Sequence, residues 1–506
     1  MKKILITSFA ASLLLFSYSC DTDFENDVND IQVTSGTANF SKYVALGNSL
    51  TSGYRDGALY MDGQVESYPN MIAAQMKLAG GGEFKQPLMP NNIGGFTNLN
   101  PLTNQPIAMG KLQLKVVNGS LAPVPTAPGA ALDMISSGGP YQNLGVPGAK
   151  VGHLLYAGFG NPAGLMTGTA NPYYIRFATS PTASVVQDAM AQNPTFFSLW
   201  IGNNDVLGYS TTGGDGTDPI TPEADFTTAY TALINTLTSG GAKGVIANIP
   251  NVTSIPFFNT VPYNPVPLDA ATVTQLNQQV FGPLKQILSM SGDGGRFVTL
   301  STANNPLLIK DESLPNRQLQ ITQGLVAGGV PAQQAGLMGI VFGQARHATS
   351  ADLVLLTTSS VIGTAPGSPY AVAPFNKYGV TFPLEDKHVL RGKFETQTSN
   401  VEVDDVLAAT AAYNATIKSL ADSKGLAFFD ANAKMGELAK ISGITFDGVK
   451  YTAKFVTGGT FSLDGVHLTG RGYGVIANEF LKAINNKYGS NLPLVNVNSY
   501  SGVTFP

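Results

Sequence analysis

The sequence reads as an α/β protein built on a mostly parallel sheet, and three observations lead there. Short apolar runs of strand length lie between Gly and Pro, amphipathic helical stripes alternate with them, and the spacing leaves room for a crossover helix between successive strands. With 506 residues, 43% hydrophobic and only 12% charged, the chain buries a large core and is too apolar to stay unfolded. Length alone suggests roughly three domains of ~150 residues. Motifs shared between the two ends argue instead for one domain carrying long insertions. The 56 Gly and 31 Pro residues signal many loops, and no fixed internal period appears.

Taken in order, residues 1–19 read as a secretory signal peptide. Lys2 and Lys3 precede an apolar run from Ile4 to Phe16 that is too short to span a bilayer as a mature helix. Cys20, the one cysteine of the chain, follows where a bacterial lipoprotein signal is cut and its cysteine lipidated. Ser17-Tyr18-Ser19-Cys20 resembles that lipobox loosely, with Ser17 in place of the usual leucine. A leftover signal-peptide cysteine is the alternative, and no intrachain disulfide is available either way. Residues 20–40 form a tether whose stretch Asp21 to Asp30 holds five acids. The formal charge of −4 becomes −6 when Lys2 and Lys3 leave with the signal, which gives no reason to expect nucleic-acid binding. Export follows as the expectation, with a lipid anchor on a bacterial membrane, the outer membrane favoured, on its periplasmic or surface face.

The main domain is expected over residues 41–490. Lys42 to Leu46 reads as a strand, and the Gly47-Asn48-Ser49 turn stands where an α/β sheet presents side chains at the carboxyl ends of its strands. Ser67 to Met76 looks helical. Residues 80–140 lack periodicity and form a first insertion over the surface. Thr195 to Ile201, bounded by Pro194 and Gly202, reads as a strand buried on both faces. Thr221-Pro222-Glu223 opens a helix with a capping residue and a first-position proline, followed by Phe226, Tyr230, Leu233 and Leu237 on one face. Gly244 to Ile249 is the next strand.

A second insertion, about 255–400, interrupts the rhythm with a helical stretch near Ala271 to Met290 and a strand at Leu353 to Leu356. The alternation then resumes with a stripe of Val403, Val406, Leu407, Ala411, Asn414, Ile417 and Ala421, the strand Leu426 to Phe429, and a last stripe of Tyr473, Ile476, Phe480 and Ile484. Residues 491–506 are left as a C-terminal tail.

Ser49 after the first strand and His467 three residues beyond Asp464 are the parts of a serine hydrolase. A serine hydroxyl is a poor nucleophile at neutral pH and needs a base within hydrogen-bond reach. Of the four histidines, His153, His347 and His388 have no aspartate three positions earlier and read as structural or surface residues. Asp464, on the same loop as His467, is placed to accept from its Nδ1 and fix the tautomer. An oxyanion needs preorganised donors. Gly148 offers a backbone N–H on the loop Asn143-Leu144-Gly145-Val146-Pro147-Gly148-Ala149, and Asn204 offers a side-chain amide in Gly202-Asn203-Asn204-Asp205. Each motif alone is also an ordinary turn, since Ser, Asn, Asp and Gly favour turns for local reasons; it is their order and strand-end placement that points to catalysis. No cluster has metal-ligand spacing, and no Gly-x-Gly-x-x-Gly follows a strand, so neither a metal nor a nucleotide cofactor is expected.

Gly47-Asn48-Ser49-Leu50, the Asn143 to Gly148 loop, Gly202-Asn203-Asn204-Asp205 and Asp464-Gly465-Val466-His467 resemble, in order, the four sequence blocks of the SGNH (GDSL-type) hydrolases. The resemblance spans about residues 42–488. It implies a three-layer α/β/α flavodoxin-like fold, with Ser49, Gly148, Asn204 and His467 as the name-giving residues and Asp464 completing the triad. It also implies that the Ser49 N–H, the Gly148 N–H and the Asn204 amide hold the oxyanion. The sequence departs at Asn48, where the family usually has aspartate, and in the two insertions, which are expected to cap the site.

Two functional classes follow. One is an exported serine esterase or lipase working through an acyl-enzyme intermediate. Its substrate is a lipid-like ester or an acetylated carbohydrate, the former slightly favoured because apolar insertions suit a long chain. The other is a surface glycan- or lipid-binding protein on the same scaffold with an idle site. The sequence carries no signal for an oligomeric state.

Overall fold

The computed structural model describes residues 32–100, 103–117, 119–395 and 401–506. The signal segment, Cys20 and the acidic stretch to Asp30 lie outside the described residues. Five parallel strands form the central sheet: β1 Tyr43–Gly47, β2 Asn143–Gly145, β3 Phe196–Trp200, β4 Lys243–Ala247 and β5 Ala427–Phe429. Their order across the sheet is β2-β1-β3-β4-β5. Every residue of β1 and of β3 is buried, which requires helices on both faces of the sheet and accounts for their unbroken apolar sequences. β2 is the strand that sequence patterning missed, because three residues of Asn-Leu-Gly carry no period.

The helices around the sheet are α1 Tyr68–Lys77, α2 Val185–Met190, α3 Asn204–Thr211, α4 Glu223–Thr238, α5 Glu402–Lys424 and α6 Gly470–Tyr488. One face is covered by α1 and α6, and the other by α2, α4 and α5.

 Tyr68 stacks on Phe480 at 4.8 Å and joins the first of these pairs, while Phe226 stacks on Tyr413 at 3.8 Å between α4 and α5. Burying each such ring contributes on the order of 2–3 kcal/mol. Thr469 caps α6 by accepting from the Gly472 N–H at 3.0 Å, and Gly489, at φ 67°, ends it.

Three expectations need correcting. Helix α4 begins at Glu223 with Pro222 at the capping position, and Thr221 caps nothing there; Pro222 holds extended backbone, so the helix starts one residue later. The buried stripe of α5 is Val406, Thr410, Tyr413, Ile417 and Ala421, whereas Leu407 and Ala411 are exposed. Asn414 lies beside that stripe because its amide brackets both the N–H and the carbonyl of Ile249 at 2.8 Å. Leu353–Val354 is a two-residue ladder with Val389–Leu390, apart from the central sheet.

The second insertion has an apolar core of its own, with Phe281, Leu284, Ile309, Ile321, Met338 and Phe342 among its buried residues. Its first helical stretch contains a π turn over Asn277–Phe281, where Gly282 donates to the Asn277 carbonyl just before Pro283. Arg346 is fully buried between Asp311 at 2.6 Å and Asp352 at 2.7 Å. The first insertion contributes the hairpins Phe96–Leu99 with Pro106–Ala108 and Leu112–Val117 with Ser120–Pro125. Residues 491–506 are docked: Asn478 exchanges two hydrogen bonds with Val495, and Val497 is buried. Among the described residues no helix is long and apolar enough to cross a membrane.

Candidate active site

The sheet order reverses direction between β1 and β3, and in open α/β sheets such a reversal opens a crevice at the carboxyl ends of the strands. Ser49 follows β1 there, at the first position of the short helix Ser49–Ser52, with Asn48 capping it by accepting from the Leu50 N–H at 3.0 Å. Gly47 has no room for a side chain: a Cβ would stand 2.4 Å from the Trp200 carbonyl oxygen and 2.0 Å from Thr51 Oγ1. Close approach of β1 to β3 therefore sets the position of the serine.

The structure brings Ser49, His467 and Asp464 together across 418 residues. His467 Nε2 lies 2.8 Å from Ser49 Oγ, and Nδ1 lies 2.8 Å from Asp464 Oδ2. Asp464 also accepts from the backbone N–H groups of Val466 at 2.9 Å and His467 at 2.8 Å through Oδ1, and from Gly57 at 2.8 Å through Oδ2. Burial works to raise its pKa, but the charge and hydrogen bonds of His467, with the two backbone donors on its loop, outweigh it and hold the carboxyl well below the usual carboxylate range. Asp464 therefore stays ionised, with Nδ1–H as its natural donor.

Sequence reasoning missed the clamp that joins the two loops. Asp56 donates its N–H to Ser462 Oγ at 2.9 Å and accepts from the Leu463 N–H at 3.0 Å and the Tyr60 hydroxyl at 2.7 Å. It does so at φ 53°, and Gly57 beside it sits at φ 72°, which turns its N–H onto Asp464. Tyr54 packs its ring 4.7 Å from that of His467. An Asp-Gly pair beginning seven residues past the serine was the available signal, a turn-forming dipeptide.

Gly148 stands exposed at φ 80° in the turn after β2, three residues beyond Gly145, which pairs with Gly47. Neither the Gly148 N–H nor the Ser49 N–H bonds to another described residue. Asn204, the first residue of α3, spends one amide N–H on the Ala149 carbonyl at 2.9 Å and leaves the other. That bond ties the Gly148 turn to the carboxyl end of β3. Asp205 reinforces it, accepting from the Val151 N–H at 3.0 Å; burial pushes its carboxyl up to about 6 against these bonds. The Gly148 and Asn204 donors thus lie on two loops held against the turn that carries Ser49 and its own N–H.

Ser49, Asn204 and His467 open onto a narrow pocket with apolar walls, among them Trp200, Leu207, Ile255, Met435 and Phe461. Ile255 is the single residue of either insertion in that wall, so the expected cap is not what forms it. The other histidines are structural: His347 is buried, pushed down to about 3 by desolvation, and accepts from the Val298 N–H, while His153 and His388 accept from the backbone three residues earlier. No family model, curated protein or solved structure matches the chain.

Proposed function

We propose that the protein is a serine esterase of the SGNH type that cleaves acyl esters through an acyl-enzyme. The observation that carries this reading is the continuous line of hydrogen bonds from Ser49 Oγ through His467 to Asp464, each 2.8 Å long. The strand order β2-β1-β3-β4-β5, with helices on both faces, supports a three-layer flavodoxin-like arrangement.

Ser49 Oγ attacks the ester carbonyl carbon as Nε2 takes its proton, and the carbonyl electron pair moves onto oxygen. The N–H groups of Ser49 and Gly148 and the Asn204 amide receive that oxyanion; one such donor is worth about 3 kcal/mol. Collapse expels the alcohol, which takes the proton back from Nε2, and water repeats the sequence to release the acid. The apolar pocket beside Ser49 favours an acyl chain over an acetylated sugar, and Cys20 would hold the enzyme at a membrane.

A fluorophosphonate probe tests the reading: wild type becomes labelled at Ser49 and Ser49→Ala does not. An unlabelled wild type that also hydrolyses no p-nitrophenyl ester, short or long, refutes it and leaves the idle binding scaffold.

A further inference from the structure

We infer that a lysine-lined groove next to the pocket receives a negatively charged part of the substrate, so that the ester cleaved at Ser49 is an anionic amphiphile; this rests on the esterase reading above. The groove has a volume of about 1080 Å³ and runs between residues 253–260 and residues 438–457. Lys440, Lys450 and Lys454 line it, all exposed, and no carboxylate does. None of the three forms an ion pair with a described residue, whereas Lys434 and Lys482 nearby are both paired to glutamates.

The groove and the apolar pocket share a wall. Leu438 lines both, and along one loop Val252 and Ile255 face the pocket while Thr253, Ser254 and Pro256 face the groove. An apolar arm and an anionic group on one molecule thus have adjoining sites. Ile441, 92% exposed on the groove side, adds an apolar surface for an amphiphile. Val456, between the lining residues Phe455 and Thr457, sits at φ 60°, a strained conformation for a β-branched residue and one that occurs at ligand-binding segments. Each exposed ammonium contributes little alone; three along one groove, with no carboxylate in its lining, make it a positive surface that favours an anion.

The test uses the full chain carrying Ser49→Ala, which binds without turnover, titrated calorimetrically with monomeric dihexanoyl phosphatidylglycerol, dihexanoyl phosphatidylcholine and dihexanoylglycerol. The phosphatidylglycerol should bind about tenfold more tightly than the other two, and the difference should fade at about 0.5 M salt. Adding Lys440→Ala, Lys450→Ala and Lys454→Ala should bring the three ligands to parity, with an unchanged melting temperature. Inorganic phosphate, lacking the apolar arm, should compete only weakly. Equal affinity for charged and uncharged amphiphiles, a preference that survives the triple substitution, or phosphate binding as tight as the amphiphile would each overturn the inference. Failure of Ser49 to react with fluorophosphonate would instead overturn the esterase reading, and the binding measurement stands apart from it.

Discussion

His467 uses its two ring nitrogens for two tasks, one toward Ser49 and one toward Asp464. Replacing it with alanine should lower kcat by about three or more orders of magnitude while far-ultraviolet circular dichroism is unchanged. Asp464→Asn keeps the shape but offers Nδ1 the wrong partner, so kcat should fall by about 10⁴ with KM nearly constant; equal rates in steady-state assays would show that another base acts. Gly47→Ala tests the backbone beneath the serine. Its Cβ meets a backbone oxygen at 2.4 Å, and the expected loss is about 3 kcal/mol or more in chemical denaturation. Ser49, His467 and Asp464 were legible because their chemistry requires those residue types near strand ends. The roles of Asp56 and Tyr54 were not: Asp-Gly marks a turn, but its bond to Ser462, 406 residues away, and the packing of Tyr54 on His467 leave no local pattern.

Among the elements, β1, β3 and α6 could be read directly from apolar runs and stripes, since full burial of strand and face demands them. β2 was too short to show, and α5 misled because Leu407 and Ala411 continue its stripe in sequence but face solvent. The first turn of α3, after β3, carries a pH signature. Asp205 has a folded-state pKa of about 6, above the ordinary carboxyl value, so it binds a proton in the folded state before the unfolded one. Its charge therefore costs stability at pH 7, and that cost is relieved as the pH falls through about 6 toward 4. Asp205→Asn should remove up to about 2 kcal/mol of this pH dependence relative to wild type, as measured by thermal melting at pH 7 and pH 5. Wild-type and variant curves shifting in parallel would show that Asp205 does not titrate there.

At the scale of the whole molecule, an α/β body with two insertions was legible, but the second insertion's own core was not, because its short elements mix Gly and Pro with apolar residues. The C-terminal segment was read as a tail and is part of the body. Ser501 Oγ accepts from Arg55 at 2.8 Å, and Arg55 also reaches Glu66 at 2.6 Å, directly beside the Asp56 clamp. Ending the chain at residue 490 should lower the melting temperature and slow ester hydrolysis together; full activity in the shortened chain would separate the tail from the site.

The distance in sequence between hydroxyl and imidazole has a consequence for synthesis. A ribosome has made nine-tenths of this polypeptide before it reaches residue 464, and until then the serine has no partner to activate it. On the proposed esterase reading, a nascent, stalled or prematurely terminated product lacks the assembled line from Ser49 through His467 to Asp464 and should not cleave esters until the carboxyl-terminal loop docks beside the first strand.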